Sequence, residues 1–290
     1  MQYGRYKSLL SLLALSWVTI CSTASAQTIG VFQFDDWPGP EITVHFVEPD
    51  DVPAEAPIVF VMHGVLRNAQ DYRDNWVQLA KTHGFRVFAP EFDAKRFPRS
   101  KMYNLGGVGV DGPSAFDAIE PLFHDIRHRA NTNQNTYYLF GHSAGAQFVH
   151  RFLMLRPDAR LSLAVAANAG WYTLPRDDIK WPYGLGGLDD QQLTINAAFR
   201  APLVVMLGED DNDPNDANLR KTKEANAQGA HRFARGLNFM RIATEVAEAS
   251  DITLRWKTII VRNAGHDNAV MAKAAATVIG EHANNGTKTN

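Results

Sequence analysis

Cysteine is nearly absent from this chain. Among 290 residues there is one, Cys21. It falls inside a leader segment, so the mature chain is expected to have no thiol. That excludes a disulfide framework and a cysteine nucleophile. Neither charge sign is in excess. Lys and Arg number 29 against 31 Asp and Glu, a net charge of −2. Nothing marks a nucleic-acid partner or an acidic disordered chain. Internal repeats are also missing. What is present is ordinary for a packed domain, 45% hydrophobic and 21% charged. Without cross-links, stability has to come from the core, and roughly 260 residues are enough to build one.

The first residues read as a secretory signal peptide. Arg5 and Lys7 supply a positive start, Ser8 to Ile20 is apolar, and Ala24-Ser25-Ala26 is a small-residue cleavage site before Gln27. The apolar run is too short for a membrane anchor, which needs about 20 residues. The expected division is 1–26 as leader and 27–290 as one mature domain, secreted or periplasmic. Cleavage leaves 27 basic residues against 31 acidic, a net of −4.

Strands and helices alternate along the mature chain. Thr28 to Phe34 and Ile42 to Val47 are β-branched and aromatic runs around Asp35 to Pro40, predicting an antiparallel hairpin at a sheet edge. Ile58 to Met62, Arg86 to Ala89, Thr136 to Phe140, Leu163 to Ala167, Leu203 to Leu207 and Thr258 to Val261 predict strands, the apolar ones buried on both faces. Pro90 is expected to stop the second of these. Helices are predicted over Asn75 to Thr82, Ser114 to Ala130, Ala144 to Leu155, the stretch from Phe233 to Val246, and Ala269 to Ile279. This order predicts an α/β fold, a mostly parallel sheet with an antiparallel N-terminal hairpin and helices on both faces. A small cap or pocket-wall segment is expected at about 168–200.

Gly141-His142-Ser143-Ala144-Gly145 fits the G-x-S-x-G pattern between an apolar strand and a helix-forming run. Such a turn is tight. Glycines at its ends let strand and helix approach, and Ser143 projects from the strand end beside a helix amino terminus. Acyl transfer also needs fixed donors for the oxyanion. The N–H of Ala144 is one candidate. The N–H of Val65, in the loop His63-Gly64-Val65-Leu66 after a buried strand, is the other. His63 is expected to brace that loop.

Strand-His63-Gly64, Gly141 to Gly145, Gly208-x-x-Asp211 and Gly265-His266-Asp267, in this order, resemble the α/β-hydrolase superfamily over essentially the whole mature chain. His63-Gly64 with Arg67-Asn68-Ala69 is similar to secreted esterases near the poly(3-hydroxyalkanoate) depolymerases and feruloyl esterases. Enzymes that cleave poly(aspartic acid) are related to the same group. The resemblance implies a chain order of serine, acid, histidine. His231, His266 and His282 lie well past Ser143; His266, in a loop after the last strand, fits best as base. The acid belongs in Gly208 to Pro214. Asp211 has the usual spacing, and Asp210 and Asp213 are alternatives. The other acids of that loop are solvated charges or a calcium site.

The implied activity is serine carboxylic-ester hydrolysis through an acyl-serine, with a small or oligomeric ester, including a polyester, as substrate. No cofactor or metal, no nucleic acid and no membrane anchor are expected. The alternatives are an amide or peptide hydrolase with the same triad, such as one acting on poly(aspartic acid), and a non-catalytic binding protein on the fold. Trp171 and Tyr172, after the strand that follows the nucleophile helix, are candidate substrate-binding walls, as are Trp181 and Tyr183 in the cap; ordinary packing is the competing role. Three patterns carry no site. Gly107 to Gly112 mimics a dinucleotide turn without its βαβ frame. His124 and His128 lack a third ligand. Asp211 to Asn215 begins like a calcium loop, then fails at Asp216 and Thr222.

Overall fold

The structure is a computed structural model that describes residue 1, residues 26–188 and residues 191–286. The leader features from Arg5 to Ser25 lie outside the described residues. Eight strands form one sheet in the order β1-β2-β4-β3-β5-β6-β7-β8. They are β1 (Gln27–Phe34), β2 (Ile42–Pro49), β3 (Ile58–Met62), β4 (Arg86–Glu91), β5 (Tyr137–His142), β6 (Leu161–Ala167), β7 (Leu203–Gly208) and β8 (Trp256–Val261). The hairpin β1–β2 is antiparallel and pairs antiparallel to β4; every later pairing is parallel.

Burial explains the arrangement. β3, β5 and β7 are buried at every residue, as strands covered on both faces must be. β1 alternates instead, leaving Ile29 and Val31 exposed at the sheet edge. Pro90 does not stop β4, which runs to Glu91. It pairs with Val44 of β2 but lies past Phe88, the last residue paired with β3, so its missing N–H costs the parallel ladder nothing.

Helices cover both faces. α1 (Ala69–Asn75), α2 (Val77–His83) and α9 (Asn268–Gly286) enclose one apolar layer with Tyr72, Trp76, Met271 and Ile279. α4 (Ile119–Arg129), α5 (Ala144–Leu155) and α8 (Arg232–Ala249) enclose the other with Ile119, Phe148 and Phe239. The helix predicted over Asn75 to Thr82 is two helices, starting earlier and broken at Trp76. That residue is fully buried, its ring 5.2 Å from Phe140. Three shorter helices escaped the sequence pattern: α3 (Arg99–Met102), α6 (Gln191–Arg200) and α7 (Lys223–Gln228). α6 falls in the segment expected to form a cap. There Ala198, Phe199 and Leu185 are buried, so its inner side belongs to the core.

The parallel strands bring the loops after β3, β5, β6, β7 and β8 to one edge of the sheet. In open α/β sheets that carboxyl edge is where ligands bind.

Candidate active site

Ser143 sits between β5 and α5 with φ 58° and ψ −115°, a left-handed conformation rare for a residue with a side chain. Its N–H donates to Ala167 O at 3.0 Å, and its carbonyl accepts from the Gln147 N–H at 3.2 Å. The flanking glycines are required sterically. A Cβ on Gly145 would lie 2.0 Å from Met62 O, and one on Gly141 would lie 2.3 Å from Gly145 O. Close approach of helix to strand thus presses the strained residue outward. Gly145→Ala is expected to lower stability by about 1–3 kcal/mol or to prevent folding. Gly265→Ala, where a Cβ meets nothing within 4 Å, is expected to shift the urea midpoint little. Equal midpoints for the two variants would contradict the packing described.

His266 reaches Ser143 from the loop after β8. Its Nε2 is 3.0 Å from Ser143 Oγ, and its Nδ1 is 2.7 Å from Asp211 Oδ2. A carboxylate only accepts, so Nδ1–H is the donor and Nε2 carries the lone pair facing the hydroxyl. Of the three acids left open by the sequence, the structure brings Asp211 to the histidine. Its side chain is 4% exposed, whereas Asp210 and Asp213 are exposed to solvent. The Asp210 N–H instead donates to Ala264 O at 2.9 Å, fixing where the two loops cross.

Several supporting residues gave no sequence signal. Asn168, just past β6, accepts from the Gly208 N–H at 2.7 Å and donates to Gly265 O at 2.9 Å. One side chain therefore ties the acid loop to the histidine loop. Arg232, at the start of α8, donates to Asp211 Oδ1 at 3.1 Å. His142 is buried beside His266, with ring centroids 4.6 Å apart, and its Nδ1 accepts from the Tyr72 hydroxyl at 3.1 Å. Burial first, then the neighbouring His266 ring and the Arg232 charge, holds the His142 imidazole well below its ordinary range, so it is neutral.

On the opposite wall, a Cβ on Gly64 would lie 3.8 Å from Ser143 Cβ, which puts the Gly64-Val65 peptide against Ser143. The Ala144 N–H opens α5, among the first-turn donors that lack a partner inside the helix. His63 braces this loop. Its Nε2 accepts from the Phe92 N–H and its Nδ1 donates to Gly64 O, both at 3.0 Å. Arg67 adds bonds to the carbonyls of Phe92, Phe97 and Arg99.

Burial lowers the pKa of His63 to about 3. Since 3 lies below 6.5, the unfolded chain binds a proton that the folded chain refuses over that interval. Stability is full above pH 6.5 and is lost as pH falls toward 3, with a slope from this group of up to about 1.4 kcal/mol per pH unit. His63→Gln, which keeps a donor and an acceptor, is expected to flatten the fall in urea midpoint between pH 7 and pH 5. An unchanged slope would show that His63 does not contribute it.

The cleft at Ser143 has a volume of about 290 Å³ and is walled by Val65, Leu66, Asn68, Tyr72, Asn218 and Asn268. Val65 and Leu66 are 65% and 80% exposed, two apolar side chains standing at its rim. Larger hollows, each about 440 Å³, lie along α8 near Glu245 and beside β7 and β8 near His282; neither includes Ser143 or His266. Trp171 and Tyr172 do not line the cleft, which corrects the sequence expectation. The side-chain amide of Gln228 accepts from the Tyr172 N–H at 2.8 Å and donates to its carbonyl at 2.7 Å, drawing the segment inward. Tyr172 then stacks on Phe239, and Trp171 packs under the guanidinium of Arg151. Tyr183 packs against Trp171, and neither Trp181 nor Tyr183 reaches the cleft. Among the described residues, no helix is long and apolar enough to cross a membrane.

No protein-family model matches the chain, and a search of curated proteins finds no match. Solved structures do match. Poly(aspartic acid) hydrolase-1 from Sphingomonas sp. KT-1 is 40% identical with a TM-score of 0.84, over 86% of this chain and 97% of that one. LpqC, a poly(3-hydroxybutyrate) depolymerase from Bordetella parapertussis, is 30% identical with a TM-score of 0.82, over 87% and 89%. The chain belongs to the α/β-hydrolase superfamily, in the depolymerase-like group. An S-formylglutathione hydrolase from Agrobacterium tumefaciens, 16% identical with a TM-score of 0.58 over 90% and 96%, shares the fold. This member of the superfamily is a hydrolase, and its hydrogen-bonded Ser143, His266 and Asp211 occupy the three loops that the fold brings together.

Proposed function

We propose that this hydrolase is a secreted serine esterase acting on an oligomeric or polymeric carboxylic ester. The observation that carries the reading is the continuous hydrogen-bonded line from Asp211 through His266 to Ser143 Oγ. Ser143 Oγ attacks the ester carbonyl while His266 Nε2 takes its proton. Asp211 stabilises the imidazolium. The N–H groups of Val65 and Ala144 hold the oxyanion. Collapse expels the alcohol, which takes the proton back from His266, and leaves an acyl-serine. Water, deprotonated by His266, then frees the acid and restores Ser143. The exposed side chains of Val65 and Leu66 favour an uncharged acyl chain lying across the rim. The leader sequence supports export, with Gln27 as the first mature residue.

A second reading, amide hydrolysis, is favoured by the 40% identity to a poly(aspartic acid) hydrolase. The same groups would act, with His266 protonating a leaving amine.

The test is a substrate panel for the mature protein: p-nitrophenyl butyrate, poly(3-hydroxybutyrate) and poly(aspartic acid). Turnover of the ester or polyester supports the first reading. Turnover of poly(aspartic acid) alone replaces it with the second. A folded protein that hydrolyses none of them argues for a binding role.

A further inference from the structure

Asp211 spends one oxygen on His266. The other accepts from Arg232 Nη1 at 3.1 Å, and Arg232 Nη2 donates to Asp216 Oδ1 at 2.8 Å. The Arg232 and Asp211 side chains are each 4% exposed, and Asp216 is 30% exposed. The joint is reinforced by the backbone, where the Phe233 N–H donates to Asp211 O at 3.1 Å. Asp216 in turn accepts from the Asn218 N–H at 2.7 Å, and Asn218 lines the cleft.

We propose that Arg232 is a positioning residue for the reacting set. It fixes the Asp211 carboxylate toward His266 and cancels the charge of one of the two carboxylates that it bonds. The inference rests on the reading of Ser143, His266 and Asp211 given above.

Geometry supplies the first half. Asp211 lies in a loop, and a carboxylate held by one oxygen can swing about its side-chain torsions. A charge-assisted bond to the second oxygen, shielded from water, removes that freedom. Electrostatics supplies the second half. Asp211 bonds His266 directly and neutral His142 lies against its ring, while Arg232 and Asp216 follow Asp211 in the hydrogen-bonded chain. With Arg232 in place the three charged ones sum to one negative charge; without it they sum to two. The hydrogen bond from Arg232 holds the Asp216 carboxyl down to about 2, and at the ordinary carboxylate value it would still be ionised at neutral pH once the arginine is gone. A base bonded to one uncompensated carboxylate, with a second further along the same chain, is protonated too readily to accept the proton of Ser143 until the pH is higher.

The test is the pH profile of kcat/KM on p-nitrophenyl butyrate for wild type, Arg232→Gln, Arg232→Lys and Asp216→Asn. It is paired with an NMR titration of the His266 imidazole in the Ser143→Ala background, which needs no turnover. In Arg232→Gln the acid limb and the imidazole titration should both move to higher pH by about one unit, a tenfold change in proton affinity. Arg232→Lys should keep the limb in place and lower the plateau, because one ammonium does not reproduce the fork. Asp216→Asn should move the limb the opposite way. A merely structural arginine would lower thermal stability and plateau rate and leave every limb where it was. Unmoved titrations in Arg232→Gln overturn the proposal. If that variant does not fold, an unmoved or upward limb in Asp216→Asn overturns it. Turnover surviving in Ser143→Ala would instead sink the functional reading and leave the titration result intact. Loss of wild-type turnover would do the same.

Discussion

Ser143→Ala is expected to lower turnover by at least about 10⁴-fold while leaving the fold unchanged. The hydroxyl is the group that His266 Nε2 faces at 3.0 Å. Alanine removes it without adding volume and adopts φ 58° with the same Cβ strain as serine. The structural bonds at this position are made by the backbone, to Ala167 O and from the Gln147 N–H, and they survive the change. The urea midpoint should therefore stay within about 0.5 kcal/mol of wild type, the range of a substitution that touches no packing. Turnover of p-nitrophenyl butyrate and the midpoint, measured together, decide the matter. Equal turnover in both proteins would show that Ser143 is not the nucleophile.

Asp211→Asn is expected to cost about 10⁴-fold in kcat. The substitution keeps shape and volume but offers His266 Nδ1 an amide that can donate. Donation to Nδ1 puts the imidazole proton on Nε2, where it faces Ser143 and blocks proton transfer. Asp210→Asn, one residue away, should change kcat by less than about twofold, because that side chain points to solvent and only its backbone is used. The pair of variants tests the assignment more sharply than either alone. A large loss in Asp210→Asn and none in Asp211→Asn would reverse it.

The parts of this molecule that were legible in the sequence are those in which residues close in the chain decide the outcome. Ile58 to Met62 and Leu203 to Leu207 read as strands because no polar residue interrupts them, and burial on both faces demands that. The turn at Ser143 was legible because Gly141 and Gly145 are spaced by the contact between one strand end and one helix start. Other features depend on partners far along the chain. Asp211 could not be separated from Asp210 and Asp213 by spacing, since the choice is made by where His266, 55 residues later, arrives. Arg232 and Asn168 act across 21 and 97 residues respectively, and neither belongs to a periodic pattern. Trp171 and Tyr172 were misread because an aromatic pair after a strand suits a pocket wall as well as a core. Gln228, 56 residues on, settles which. α7 is short, with Ala225 and Gln228 its buried residues, too few to show a helical period.

Asn168 joins two loops at their roots, close to where they leave β7 and β8, and leaves their outer turns alone. The residues that wall the cleft, such as Leu66 and Asn218, stand outside that joint. The joint thus fixes where the reacting atoms meet, while an exposed rim side chain such as that of Leu66 takes no part in it. Exposed side chains of that kind can be exchanged without retuning the centre, so a line of descendants could change what the cleft admits by a few surface substitutions.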